Sequence, residues 1–155
     1  MRSCRRSSED RSSGESTASN DQLFVALASH EEGEAYAVQK AFDCIETFTA
    51  RFNGMDLAGM DALLHFPHVV LDAGKLVVWD RPGQHGVTFF DELRATGWHR
   101  TMYRRKEVVL ATPTKAHFLV EYSREDTEGK VLSTHHNLWI VTFEDERWGI
   151  KLRSY

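Results

Sequence analysis

The sequence has few of the features that assign a protein quickly to a class. Of its 155 residues only Cys4 and Cys44 are cysteines. We therefore expect no disulfide framework, which favours a reducing, cytoplasmic location. No apolar run approaches the roughly 20 residues that span a bilayer, so we expect no membrane partner. Because the chain has 19 basic and 23 acidic side chains, no strongly basic surface is expected and no nucleic acid partner is predicted.

Short catalytic and metal-binding motifs are also missing. The chain contains no glycine-rich dinucleotide or phosphate loop and no Gly-x-Ser-x-Gly elbow, so nucleotide binding and serine hydrolase chemistry are unsupported. Among its eight histidines, His65 and His68 flank a predicted break in secondary structure. The adjacent His135 and His136 point to opposite faces of one predicted strand and cannot chelate one ion together. We predict no metal site and no cofactor.

The first 22 residues differ in composition from the rest of the chain. They are rich in serine and mixed charge and include no large aliphatic residue after Met1. Such a segment cannot bury enough apolar area to offset the entropy lost on ordering. We predict a disordered tail over residues 1–22 and a single domain over residues 23–155. The short apolar stretch 22–30 predicts a helical turn or a strand that docks on this domain.

Helical periodicity dominates the first half of the domain. Apolar residues recur at intervals of three and four over residues 31–53, which predicts a long amphipathic helix. Asp56 can cap a second helix, and Pro67 is expected to end it. An Asp-Ala-Gly-Lys turn from Asp72 to Lys75 predicts a hairpin between strands 68–71 and 76–79.

After a predicted short helix over residues 87–96, the hydrophobic period changes from about 3.6 to two. The breaks between the apolar stretches are of hairpin length, so an antiparallel meander is predicted. The four predicted strands are residues 98–111, 115–125, 131–143 and 147–155. Helices followed by a meander indicate an α+β fold.

Several short sequence segments, together with this order of elements, resemble those of a known superfamily. They are Phe52-Asn-Gly-Met-Asp56, Ala62-Leu-Leu-His-Phe-Pro67, Val141-Thr-Phe and Arg147-Trp-Gly-Ile-Lys-Leu-Arg-Ser154. With them, residues 31–155 resemble the nuclear transport factor 2-like superfamily, which includes ketosteroid isomerases and SnoaL-type polyketide cyclases. The resemblance is closest to the uncharacterised members. It implies a cone-shaped fold in which a curved antiparallel sheet wraps around the long helix, with an apolar pocket at the open end.

The resemblance also implies candidate positions for catalysis. In ketosteroid isomerases the general base is an aspartate on the first hairpin strand, a position that falls here on Asp72. Their oxyanion-hole positions fall on Phe48 and Trp139, which cannot stabilise an enolate as a tyrosine and a protonated aspartic acid do. Steroid isomerase chemistry is therefore not favoured. Asp72 also fits a purely local role, accepting backbone N–H groups at the corner of the hairpin.

Strand parity predicts further pocket residues. Side chains two apart on a strand share a face, so His135 and Asn137 should face the same side as Trp139, with Arg153 beside them on the last strand. An aromatic platform beside a guanidinium suits a flat or acidic small molecule. Arg153 also fits a salt bridge, and Trp139 also fits the core. The candidate catalytic residues are Asp72, His135 and Arg153, and the candidate ligand-binding residues are Phe48, His68, Trp79, Trp98, Asn137 and Trp139.

Three functions are compatible with these candidate residues. The first is a lyase, isomerase or cyclase that transfers protons, with His135 or Asp72 as the base and Arg153 as the anion or enolate stabiliser. The second is a module that binds a small molecule without turnover, and the third is an interaction domain. We expect a small-molecule ligand and a homodimer through the convex sheet face, where a second apolar set such as Leu119 alternates with Phe118.

Overall fold

The computed structural model of the protein describes residues 20–155, with side chains from residue 30 onward. The predicted tail over residues 1–22 lies outside the described residues except for its last three, and it stays a prediction. Helix α1 spans Asn20–Asn53 and therefore begins before the predicted start at residue 31. The stretch 22–30, expected as a separate turn or strand, continues this helix because it contains no proline or glycine that would interrupt it.

Helix α1 ends where the backbone turns at Gly54 and Met55. Met55 has φ = 56°, a left-handed conformation that cannot continue a right-handed helix. Helix α2, Leu57–Asp61, follows at once. The Asp56 carboxylate accepts a hydrogen bond from the backbone N–H of Gly59 at 2.8 Å. The predicted cap is therefore confirmed.

The prediction that Pro67 ends a helix is wrong. Strand β1 begins at Leu64 and runs to Asp72, so Pro67 lies inside it, after a cis peptide bond. A proline is tolerated there because the pairing of β1 with the last strand is irregular between Leu64 and Val69, and pairing with the next strand starts only at His68. The backbone N–H that Pro67 lacks is therefore at a position outside the regular hydrogen-bond ladders of β1.

The remaining predicted elements are confirmed to within a few residues. The hairpin turn at Ala73 and Gly74 has two positive φ angles, 47° and 79°, as a tight two-residue hairpin requires. The further elements are β2 Lys75–Trp79, α3 Phe89–Ala95, β3 Arg100–Thr112, β4 Lys115–Glu125, β5 Val131–Glu144 and β6 Arg147–Ser154.

One six-stranded sheet contains all the strands, in the order β2-β1-β6-β5-β4-β3. The last four strands pair antiparallel with their chain neighbours, so the meander and the α+β class are confirmed. Strand β1 joins the meander by pairing parallel to β6, a pairing that the sequence did not predict. This pairing places the first hairpin beside the last strand, within the same sheet.

The core lies between α1 and the concave face of the sheet. Ala41, Ile45 and Phe48 on the helix are buried against Phe118 and Val141 and their neighbours. This three- to four-residue spacing is the apolar stripe of the predicted helix. Phe48, Thr49 and Phe52 consequently reach the open end of the sheet. No helix in the described part of the chain is long and apolar enough to cross a membrane.

Candidate functional site

A cavity of about 450 Å³ lies at the open end of the sheet. Its wall combines residues from all six strands, from α1 and α3, and from the loop before α3. Its volume lies in the range of small-molecule sites. The aromatic part of the wall comprises Phe48, Phe52, Trp79, Phe89, Tyr122 and Trp139. The polar part includes Asp72, His85, Arg124, His135, Arg153 and Tyr155.

Arg153 is a buried charged residue of this wall, with 5% of its surface exposed. Its guanidinium carbon lies 5.3 Å from the ring centre of Phe48, 5.6 Å from that of Trp79 and 5.9 Å from that of Tyr155. Aromatic faces attract cations at such distances. Within the described residues, no carboxylate forms an ion pair with Arg153. The guanidinium is thus surrounded by rings and lacks an anionic partner there.

His68 fixes the position of this guanidinium. The imidazole is fully buried, and its Nδ1 lies 3.0 Å from the carbonyl oxygen of Ile150. Because a carbonyl only accepts, Nδ1 carries the proton. Nε2 therefore accepts the hydrogen bond that Nε of Arg153 donates at 3.1 Å. Burial, and then the nearby Arg153 charge, lowers the pKa of His68 to about 3, so the ring is neutral at neutral pH.

A second histidine, His85, faces the cavity from the loop that joins β2 to α3. Its Nδ1 lies 3.4 Å from Oδ1 of Asp61 on α2, and both side chains are buried. The other oxygen of Asp61 accepts a hydrogen bond from the backbone N–H of Gly83 at 2.7 Å. Burial and the Arg153 charge lower the pKa of His85, while Asp61 opposes that shift. A carboxylate and an imidazole thus meet at the cavity wall.

Sequence comparison finds no matching family model and no matching curated protein. Solved structures do match. One is a nuclear transport factor 2-like protein with a cystatin-like fold from Novosphingobium aromaticivorans, with a TM-score of 0.61, 13% identity and 88% of each chain covered. The chain has the nuclear transport factor 2-like fold. At this identity the likeness concerns the fold alone.

Two further solved structures are similar to this chain in fold. A protein of unknown function from Nostoc punctiforme has a TM-score of 0.58 and 12% identity over 75% of this chain and 86% of its own. A ketosteroid isomerase-like protein from Erwinia carotovora atroseptica has a TM-score of 0.51 and 15% identity over 75% of this chain and 92% of its own. Proteins with different assignments share this scaffold, so function must be argued from the site.

The cavity brings together six of the nine residues that the sequence proposed for a site: Phe48, Asp72, Trp79, His135, Trp139 and Arg153. The other three do not line it. His68 lies behind Arg153, and Trp98 is buried against Phe52 and Phe90. Asn137 is buried, and its Nδ2 has no hydrogen-bond partner within the described residues. These three support wall residues, and direct contact with a ligand is not expected for them.

The two residues proposed as bases, Asp72 and His135, reach the same cavity from opposite sides. Asp72 lies exposed at the hairpin end of β1. The ring of His135 stacks on Tyr122 at 4.9 Å between centres, and its Nε2 lies 2.9 Å from the hydroxyl of Ser133. Burial lowers the pKa of His135. No hydrogen bond joins Asp72 to His135 in the described structure, so they do not form an acid–base pair.

Sequence reasoning missed Asp61 and His85. Asp61 lies at the end of a short helix, and His85 lies in a loop between Gly83 and Gly86. A histidine in a glycine-rich loop was the available signal, because functional side chains are often carried by loops on a rigid scaffold. In the part of the chain that the structure describes, no group of three His, Cys, Asp or Glu side chains is placed to hold a metal ion.

The lowered pKa of His68 predicts an acid-sensitive stability. Between the ordinary histidine pKa of 6.5 and the folded value of about 3, the unfolded chain binds a proton that the folded chain does not. Stability is therefore lost as pH falls through this window, by up to about 1.4 kcal/mol per pH unit for this group. We expect His68→Gln, which can still accept from Arg153, to flatten the decline in unfolding free energy between about pH 6 and about pH 4.

Urea unfolding at several pH values measures this decline. The matched control is His136→Gln, which alters an exposed imidazole on β5 and should leave the wild-type slope in place. Equal slopes for the wild type and His68→Gln would contradict the assignment of a neutral, buried His68.

Proposed function

We propose that this protein binds a flat, anionic small molecule in the cavity and acts on it by proton transfer, as a lyase, isomerase or cyclase. The observation that carries the proposal is the buried guanidinium of Arg153, which has no carboxylate partner among the described residues. A charge removed from water costs several kcal/mol unless it is compensated. An anionic ligand supplies the missing compensation.

The hydrogen bonds of Arg153 favour a carboxylate or an enolate as that anion. Its Nε is engaged by His68, whereas neither Nη atom donates to another described residue or is sealed from the cavity. Two parallel N–H groups match the two oxygens of a carboxylate, or of an adjacent carboxylate and carbonyl. Arg153 therefore has its bidentate edge available to a ligand.

The rings around Arg153 favour a flat ligand. Phe48 meets Trp139 edge to face at 5.6 Å between ring centres, and the ring centre of Trp79 lies 5.6 Å from the guanidinium carbon. Aromatic walls bind an aromatic or conjugated ring through stacked and edge-to-face contacts. The proton-transfer part of the proposal is supported by the lowered pKa of His85 and of His135, because a base must be unprotonated to act near neutral pH.

Binding of a simple aromatic acid tests the role of Arg153. We expect the wild type to bind 2-naphthoate, and Arg153→Met to weaken that binding by about 10- to 100-fold, since hydrogen bonds to charged groups contribute about 1.5–3 kcal/mol. The neutral 2-naphthamide should bind both proteins within about threefold, because it keeps the ring contacts and lacks the charge. Isothermal titration calorimetry measures both ligands.

Lys151→Met provides the matched control, because Lys151 lies on the same strand and pairs with Glu144 at 2.9 Å. It should leave naphthoate binding unchanged. The melting temperature of Arg153→Met should equal or exceed that of the wild type, since the variant replaces a buried, unpaired charge with an apolar chain. Equal naphthoate affinity in the wild type and Arg153→Met, or unfolding of the variant, would contradict the proposal.

We also propose that two copies of the chain pair through the outer face of the sheet. Leu119 is 41% exposed and lies between the buried Phe118 and Val120, so it faces outward. It pairs directly with Leu138, and two positions along the same strand Ile140 pairs with Leu152. Three neighbouring strands thus carry a shared apolar surface that no helix of residues 20–155 covers, as an isologous dimer interface would use.

Light scattering after size exclusion tests this pairing. At micromolar concentration we expect a mass of about 36 kDa, twice the 17.8 kDa of one chain. Leu119→Asp should shift the mass toward the monomer because it places like charges at the two-fold interface. Val87→Asp, at a loop residue that is 93% exposed, should leave the dimer intact. A monomeric wild type would contradict the proposal.

A further inference from the structure

His85 and Asp61 form an isolated buried pair at the cavity wall. Nδ1 of His85 and Oδ1 of Asp61 are both sealed from solvent, and neither has another hydrogen-bond partner in the described structure. Their separation is 3.4 Å, slightly longer than a hydrogen bond. Distances between catalytic groups are often long without a ligand and tighten when it binds. Each atom is therefore available as the partner of the other.

The surroundings of the pair determine which nitrogen of His85 faces the ligand. The second oxygen of Asp61 is held by the N–H of Gly83, which ties α2 to the loop that carries His85. A carboxylate accepts, so Nδ1 of the imidazole carries the proton and Nε2 keeps its lone pair. Nε2 has no hydrogen bond within the described residues and is not among their solvent-sealed atoms. In a cavity-lining residue, this lone pair is accessible to a ligand.

Trp79 lies close to both this imidazole and the guanidinium of the proposed anion site. The ring of His85 lies 4.4 Å from the ring of Trp79, and the guanidinium of Arg153 lies 5.6 Å from the same ring. The charge of Arg153 is also a cause of the lowered pKa of His85. A ligand whose carboxylate meets Arg153 therefore extends along Trp79 toward Nε2 of His85.

Resting on the proposed function, we propose that His85 is the catalytic base, that Asp61 is its positioning residue, and that the substrate is an aromatic acid with an acidic C–H beside a carbonyl. The C–H bond breaks and its proton moves to Nε2 of His85. The electron pair forms a carbon–carbon double bond, while the carbonyl electrons move to its oxygen, next to Arg153. The imidazolium then returns a proton to the same or a conjugated carbon, so the reaction needs no oxidant or reductant.

The other candidate bases in or behind the wall are less suited to this step. The Nε2 lone pair of His68 already accepts from Arg153, and Nε2 of His135 is engaged with Ser133. Asp72 is exposed at the hairpin end, where water competes with a ligand for its carboxylate. His85 combines burial, a carboxylate partner and an accessible lone pair.

Proton exchange from phenylpyruvate tests the proposal without knowledge of the natural substrate. This probe has an aromatic ring, a carboxylate and exchangeable C–H bonds beside a ketone, and nuclear magnetic resonance in D₂O follows their loss. We expect the wild type to accelerate exchange, and His85→Gln to lower the accelerated rate by about 100-fold, the size of a general-base contribution. His136→Gln, at an exposed ring, should exchange like the wild type.

Binding of 2-naphthoate separates the failure of this inference from the failure of the proposed function. His85→Gln should bind naphthoate within about threefold of the wild type, because it loses one wall contact but keeps Arg153 and the aromatic rings. Wild-type binding without accelerated exchange, or rapid exchange in His85→Gln, would overturn the assignment of the base and leave the Arg153 proposal standing. Absence of naphthoate binding to the wild type would overturn both.

The pH profile of Asp61→Asn gives a second test that does not depend on His85→Gln folding. The charged or titratable groups facing His85 are Asp61 on α2, Arg153 on β6 and His68 on β1. Exchange should rise with pH as His85 loses its proton and then level off. Removal of the Asp61 charge lowers the pKa of His85 further, so the inflection should move to lower pH and the plateau rate should fall. An unchanged profile would overturn the positioning role of Asp61.

Discussion

The central constraint in this structure is a guanidinium that is buried without an anion beside it. Arg153 lies on β6, and the parallel pairing of Val70 with Arg153 places β1 and its His68 directly alongside. The neutral imidazole holds the guanidinium, and rings from α1, from β2 and from Tyr155 after β6 surround it. These contacts orient the charge without neutralising it. The desolvation cost of the buried guanidinium is therefore still uncompensated, and a bound anion would offset it.

The other elements of the fold position the groups around Arg153. The long α1 places Phe48 under the open end of the sheet, and the first hairpin places Trp79 opposite it. The carboxylate of Asp61 ties the following loop through Gly83, which directs His85 toward the same space. Residues from distant parts of the chain thus provide an aromatic slot, an anion site and an imidazole in one cavity of about 450 Å³.

The sequence predicted those features that depend on local periodicity. Alternation along β5 and β6 placed His135, Trp139 and Arg153 on one face, and all three line the cavity. It could not predict the partners of Arg153, because the parallel pairing of β1 with β6 joins residues 85 positions apart. It also missed His85, since the direction of a loop side chain depends on tertiary contacts such as that between Asp61 and Gly83, which no periodic pattern encodes.

A crystal structure of the complex with 2-naphthoate tests the central claim most directly. We predict that the carboxylate oxygens lie within hydrogen-bonding distance of the Nη atoms of Arg153, with the naphthalene ring between Phe48 and Trp79. His68 should still accept from Nε. A naphthoate bound elsewhere, or an Arg153 side chain that leaves the cavity to pair with a carboxylate of the protein, would contradict the account.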